Sequence, residues 1–145
     1  MTWIEVEELA TKLNEDAGGE VYRLPTEAEW ELAARAGTQS LWWFGDDPRE
    51  LGSYEWYSRT QGGDDAPKTV ATKLPSRWGL YDMYGNVAEW CIDASGVPYP
   101  VIHQVDPLAE PAVNARTDIR ILRGGSYNSF TAGFARPSRR LENGA

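Results

Sequence analysis

The chain has one cysteine, one histidine and two methionines in 145 residues. A single cysteine excludes an internal disulfide framework, and because an oxidising compartment permits disulfides without requiring them, Cys91 assigns no location. Cys91 follows Trp90 on an expected strand, where a buried and inert thiol is the plain reading. His103 stands alone in a Pro-rich loop, as a solvated side chain. No run is long and apolar enough to cross a bilayer, and Met1-Thr2-Trp3-Ile4-Glu5 has no basic region ahead of an apolar one. Neither a membrane span nor a signal peptide is therefore expected in the sequence as it stands. Positive charge is also scarce: 14 Lys and Arg against 22 Asp and Glu leave a formal charge of −8 and a pI near 4.6. That balance repels phosphate backbones, and the cluster Arg136, Arg139 and Arg140 does not reverse it, so nucleic acid is not an expected partner.

What is abundant is aromatic: seven Trp and seven Tyr, punctuated by 14 Gly. The length fits one domain with a sufficient core, and the composition fits a loop-rich fold whose interior is built from rings. Thr2 and Glu5 have capping-box spacing, and Trp3, Val6, Ala10 and Leu13 then recur at helical intervals until Asn14-Glu15-Asp16-Ala17-Gly18-Gly19. Val21 to Leu24 reads as a short strand or extended link. A second capping box, Thr26 with Glu29, opens another helix; Ala28, Leu32 and Ala36 are its expected inward face and Gly37 its C′ residue. Beyond Thr38 the helical period gives way to Pro- and Gly-punctuated loops. The best strands are Val87 to Ile92 and Ile119 to Leu122, with Asp93 to Asp118, which holds four prolines, as a long loop.

Three motifs carry more information than the rest. They are Arg23-Leu24-Pro25-Thr26-Glu27-Ala28-Glu29-Trp30-Glu31, then Trp78-Gly79-Leu80-Tyr81-Asp82-Met83-Tyr84-Gly85-Asn86-Val87-Ala88-Glu89-Trp90, then Arg123-Gly124-Gly125-Ser126-Tyr127. In this order they resemble the domain of formylglycine-generating enzymes (sulfatase-modifying factors), over roughly Trp3 to Arg140. The resemblance implies an α+β, C-type-lectin-like fold: two helices, short twisted antiparallel strands and long irregular loops. It further implies one domain over residues 1–145, minimal or truncated at both ends, since family domains usually have strands before the first helix and a closing strand with Gly-Phe-Arg.

Catalytic members of the resembled family bind copper through two cysteines shortly after Gly-Gly-Ser-Tyr, soft thiolates suiting a monovalent copper centre. Here that run is Asn128-Ser129-Phe130-Thr131-Ala132-Gly133-Phe134, without cysteine. No copper and no enzyme are therefore expected. Ser126 is not in a nucleophile elbow, and the acidic pairs Asp46-Asp47 and Asp64-Asp65 read as solvated loop residues rather than acid–base machinery. Family members often hold a structural calcium at the turn matching Gly85 to Glu89, which makes Asn86, Val87 and Glu89 candidate oxygen ligands. The alternative is that Asn86 only forms the turn while Glu89 pairs with an Arg such as Arg123. A second family calcium site falls at Ser53 and is not expected.

Non-catalytic relatives in the resembled family include the variable proteins of diversity-generating retroelements, whose C-terminal surface is diversified by randomising adenines, mostly in Asn-type codons. Such codons never yield Lys, Met, Gln, Glu or Trp, and none of the five occurs between Glu110 and Glu142 although all are used earlier. The segment mixes rigid rings with small polar groups, as antibody loops do. Tyr127, Asn128, Ser129, Phe130, Thr131, Phe134, Arg136, Ser138 and Arg139 are the expected ligand-binding residues, on a scaffold held by Trp30, Trp78, Trp90 and the Gly124-Gly125 turn. The expected function is display of this surface to a protein or other macromolecular ligand. An oxidase of the formylglycine-generating type, or a degenerate descendant, is the second reading. A structural subunit completed by a partner chain is the third, with a homo-oligomer among the assemblies allowed. Location stays open, display on a cell or virus surface included.

Overall fold

The computed structural model describes residues 1–58, 60, 62, 66–96, 107–108, 119–129 and, for the backbone, 141–144. Among the described residues three helices, α1 (Trp3–Ala17), α2 (Glu27–Arg35) and the single turn α3 (Leu51–Tyr54), precede three strands, β1 (Glu89–Ala94), β2 (Ile119–Arg123) and β3 (Leu141–Gly144). The strands form one antiparallel sheet in the order β1-β2-β3, with Trp90 opposite Leu122 and Leu122 opposite Leu141, and with an irregularity in β1 between Trp90 and Ala94. This is the expected α+β arrangement, two capped helices and a short sheet connected by long irregular segments.

Both capping boxes form. Thr2 Oγ1 accepts from Glu5 N–H while Glu5 accepts from Thr2 N–H, and Thr26 and Glu29 repeat the pattern. Each cap satisfies helix N–H groups that have no carbonyl four residues back, typically contributing about 1 kcal/mol. Arg23 reinforces the second box through two hydrogen bonds of 2.7 Å to Glu29. Those contacts hold the Glu29 carboxyl at about 2. Helix α1 stops at Gly18, left-handed at φ 70. Asn14 then braces the following link by accepting from Val21 and Tyr22 N–H.

The helix faces differ from the sequence reading. Of the expected inward positions Ala36 is buried and Ala28 half-buried, but Leu32 is 61% exposed, and the buried positions within α2 are Glu27, Trp30 and Ala34. The face is turned because Glu27 and Glu31 both meet the buried guanidinium of Arg123 in β2. Hydrophobic spacing alone could not reveal an inward glutamate. On α1, Trp3 is buried and stacks edge-on against Trp90 with ring centroids 5.8 Å apart, whereas Leu13 is exposed. Ala36, a residue before Gly37, takes the left-handed conformation that closes α2.

The strands also shift. The first begins at Glu89 rather than Val87 because residues up to Ala88 are spent in the preceding turn, and it continues through Asp93 and Ala94. The second extends to Arg123. Strand β3 and helix α3 lack sequence periodicity and were not expected. The core joins Trp30, Ala34, Trp42, Leu51, Tyr57, Met83, Tyr84, Cys91 and Ile121, with Trp43 and Phe44 packed against it. Trp78 is not part of it, being 52% exposed, so Trp42 takes the place assigned to Trp78.

Candidate functional site

The central motif folds into a turn from Asp82 to Ala88 that touches three other segments. Asp82 and Asn86 are both left-handed, at φ 58 and φ 59, a conformation that short polar side chains tolerate. Gly85 is required by proximity, since a Cβ there would lie 2.4 Å from the Trp56 carbonyl oxygen. That approach lets Asn86 N–H donate to Trp56 O at 2.7 Å. The Asn86 side chain, 1% exposed, accepts from Lys68 N–H and donates to Lys68 O, so its amide is engaged at both ends. The Asn86 carbonyl accepts from Tyr127 N–H at 2.8 Å.

Tyr127 opens the segment expected to bind ligand. Residues 126–129 make a turn closed by Ser129 N–H to Ser126 O, and Ser129 Oγ accepts from Ser126 N–H. Ser129 O in turn accepts from Ser58 N–H at 3.3 Å. Asn128 is exposed, and Ser126, Tyr127 and Ser129 are half-buried. Three of these contacts are backbone to backbone, while inside the turn Ser129 Oγ and Asn128 Oδ1 also take part, the latter accepting from Ser126 Oγ at 2.5 Å. Phe130, Thr131, Phe134, Arg136, Ser138 and Arg139 lie outside the described residues.

Beneath the same turn lies an acidic interior. Glu89 accepts a hydrogen bond from the Trp30 indole, not from Arg123, and burial, with Asp82 nearby, raises its carboxyl above the usual range. Glu55 is 2% exposed; burial drives its carboxyl well up, aided by Asp82 and Glu89 and opposed by the Tyr84 N–H and by Lys73. Glu55 Oε2 and Asp82 Oδ1 are buried without hydrogen-bond partners, while Asp82 Oδ2 accepts from Ala71 N–H. These two oxygens, rather than the Asn86 amide, are the donors left open to a hard cation beside Glu89. Among the described residues, however, no three His, Cys, Asp or Glu side chains already converge as a metal-holding group. A residue such as Glu55, charged but set between Tyr54 and Trp56, is the sequence signal that could have marked this interior.

The second buried polar centre is structural. Arg123, 0% exposed, places Nε 2.9 Å from Glu27 Oε1 and donates from Nη2 to Glu31 Oε2 at 2.6 Å. The first contact is charge on charge, since Nε lacks a directed hydrogen bond. Asp93 Oδ2 accepts from Glu27 N–H at the start of α2, where the helix dipole favours an anion. Cys91 is fully buried beside this network, and burial pushes its thiol up to about 12, with Arg123 opposing. Asp47 pairs with Arg49, and Asp46 accepts from Leu41 N–H, so that acidic pair is occupied in local turns. Asp64, Asp65 and His103 lie outside the described residues.

These features define a domain class. The profile of the sulfatase-modifying factor enzyme 1-like domain matches residues 1–145, and the chain belongs to that family. It is 36% identical over 117 residues to the formylglycine-generating enzyme of Streptomyces coelicolor, covering 72% of this chain and 36% of that enzyme. It is 37% identical over 108 residues to the serine/threonine-protein kinase pkn1 of Chlamydia pneumoniae, covering 74% of this chain and 16% of the kinase. Among solved structures, Treponema denticola variable protein 1 matches with a TM-score of 0.72 and 37% identity, over 84% of this chain and 42% of that one. PvdO from Pseudomonas aeruginosa shares the fold, with a TM-score of 0.84 at 24% identity over 99% of this chain and 54% of that one. The chain thus spans about a sixth to a third of these curated relatives and about half of these solved ones. The proteins this chain resembles thus include an enzyme and a variable protein alike. No helix among the described residues is long and apolar enough to cross a membrane.

Proposed function

We propose that this chain is a non-catalytic ligand-binding domain that presents the segment beginning at Tyr127 as its recognition surface. The supporting observation is the way this segment is held. Its backbone is fastened to Asn86 O and Ser58 N–H, leaving Asn128 exposed, an arrangement in which exposed side chains change with little cost to the fold. The likeness to Treponema denticola variable protein 1 supports the same reading and its retroelement-diversified form. Against oxidase chemistry stand the absence of any cysteine after Tyr127 and the burial of Cys91, whose thiol is too weakly acidic to offer thiolate near neutrality.

A structural calcium ion at the turn is a second element of this proposal. Burial with two oxygens lacking partners is costly unless a cation or proton compensates. Glu89, Asp82 and Glu55, which do not converge as a ready-made metal-holding group, would have to draw together around the ion, and its role would be to fix the turn that carries Asn86.

The test is simultaneous replacement of Asn128, Phe130 and Thr131 by residues of similar chemistry, with Ser129 retained for its hydrogen bond to Ser126 N–H. The expected result is folded variants, each substitution costing within about half a kcal/mol, that select different ligands from a displayed protein library. Molten or insoluble variants would place these residues in the core and remove the basis of the proposal. Formylglycine formation on a cysteine-containing sulfatase peptide, with copper supplied and above a protein-free control, would overturn the non-catalytic part.

A further inference from the structure

Asn86 uses every polar group it has. Its N–H meets Trp56, its side-chain amide meets Lys68 at both ends, and its carbonyl meets Tyr127. These partners belong to segments far apart in sequence, and one of them enters the recognition surface. Gly85 permits the close approach to Trp56, and the left-handed backbone at Asn86 aims the N–H and carbonyl in their observed directions. The recognition turn then closes a circuit, since Ser129 O accepts from Ser58 N–H two residues beyond Trp56.

We propose that Asn86 is the positioning residue of the recognition surface, setting where Tyr127 to Ser129 stand relative to the Trp56–Ser58 and Lys68 loops. The inference rests on the binding reading for its functional meaning, but its geometry is testable without any ligand. The side chain and the backbone conformation do separate work. The amide clamps Lys68, whereas the left-handed φ directs the carbonyl to Tyr127. Glycine keeps the second and loses the first, because it adopts positive φ freely. Alanine loses the clamp and disfavours the conformation as well.

Residue-resolved amide hydrogen exchange on the full chain reads these effects directly. In Asn86→Gly, exchange at Lys68 should accelerate at least tenfold, while Tyr127 and Ser58 keep wild-type protection. In Asn86→Ala, Tyr127 and Ser58 should also accelerate at least tenfold. Amides of β1 and β2 should stay within threefold of wild type in both variants. A residue of merely structural importance would instead lower protection in β1 and β2 by the same factor as at Tyr127, and that outcome overturns the proposal. Unchanged Tyr127 and Ser58 amides in Asn86→Ala overturn it too. If the alanine variant does not fold, the glycine variant decides alone, since loss at Tyr127 with retention at Lys68 is the reverse of the expected pattern. Because no ligand enters the measurement, failure here leaves the binding proposal standing, and failure of ligand selection leaves this positioning role standing.

Discussion

Replacing Arg123 by Met removes the cation at the centre of the α2–β2 contact while keeping much of its volume. Glu27, 2% exposed, is then left as a buried charge without that cation, whereas Glu31 is a quarter exposed and keeps Arg35 four residues on at 2.8 Å. Breaking one side of a buried ion pair costs about 3–5 kcal/mol. The α2 dipole returns roughly 0.3–1 kcal/mol to an anion in its first turn, which favours the lower part of that range, about 3 kcal/mol. With a urea slope of about 2 kcal/mol/M, the midpoint should fall by roughly 1.5 M. Glu31→Gln should cost no more than about 1 kcal/mol, because Glu31 is a quarter exposed and Glu27 still faces the Arg123 guanidinium. The double variant Arg123→Met with Glu27→Gln should be less destabilised than the sum of its singles by about 1–3 kcal/mol, the coupling expected of residues in contact. Urea unfolding followed by tryptophan fluorescence and circular dichroism gives all three numbers. The reasoning is refuted if Arg123→Met costs less than about 1 kcal/mol or if the double variant is additive.

The raised carboxyl of Glu55 makes a pH prediction. A group whose folded pKa lies above its unfolded value contributes stability below the unfolded pKa and loses it as pH rises through the folded one. With chelator present, the wild type should therefore lose stability as pH rises above the ordinary glutamate range, and Glu55→Gln should flatten that loss; thermal melts from pH 4.5 to 8 check it. Glu29, held at about 2, acts in the opposite sense but only as pH falls below its unfolded value, outside this window. For calcium, the wild-type melting temperature should rise with added ion and fall with chelator, while Asp82→Asn and Glu89→Gln should respond to neither, because an ion bound only by the native state stabilises it by mass action. Indifference of the wild type to chelator would remove the calcium proposal.

The sequence by itself determined the local punctuation and the family. The capping boxes at Thr2 and Thr26 and the end of the first helix within Asn14 to Gly19 are short-range chemistry, complete within a few residues, and they formed where the spacing placed them; β2 likewise starts at Ile119 as the sequence placed it. The three motifs were likewise enough to point to the domain family that the matched profile establishes. Only the tertiary structure decided which face of α2 turns inward, because Glu27 is buried by an arginine 96 positions away in sequence and not by any periodicity of its own. The same holds for Asn86. Its role as a turn former was legible from the Gly85-Asn86 pair, but its partners Trp56, Lys68 and Tyr127 are separated from it by loops without period, and only folding brings their backbones within hydrogen-bond reach. The Glu55 Oε2 and Asp82 Oδ1 atoms belong to that class too, for an oxygen buried without a hydrogen-bond partner is a property of the packed surroundings, which no single residue type carries in its own chemistry.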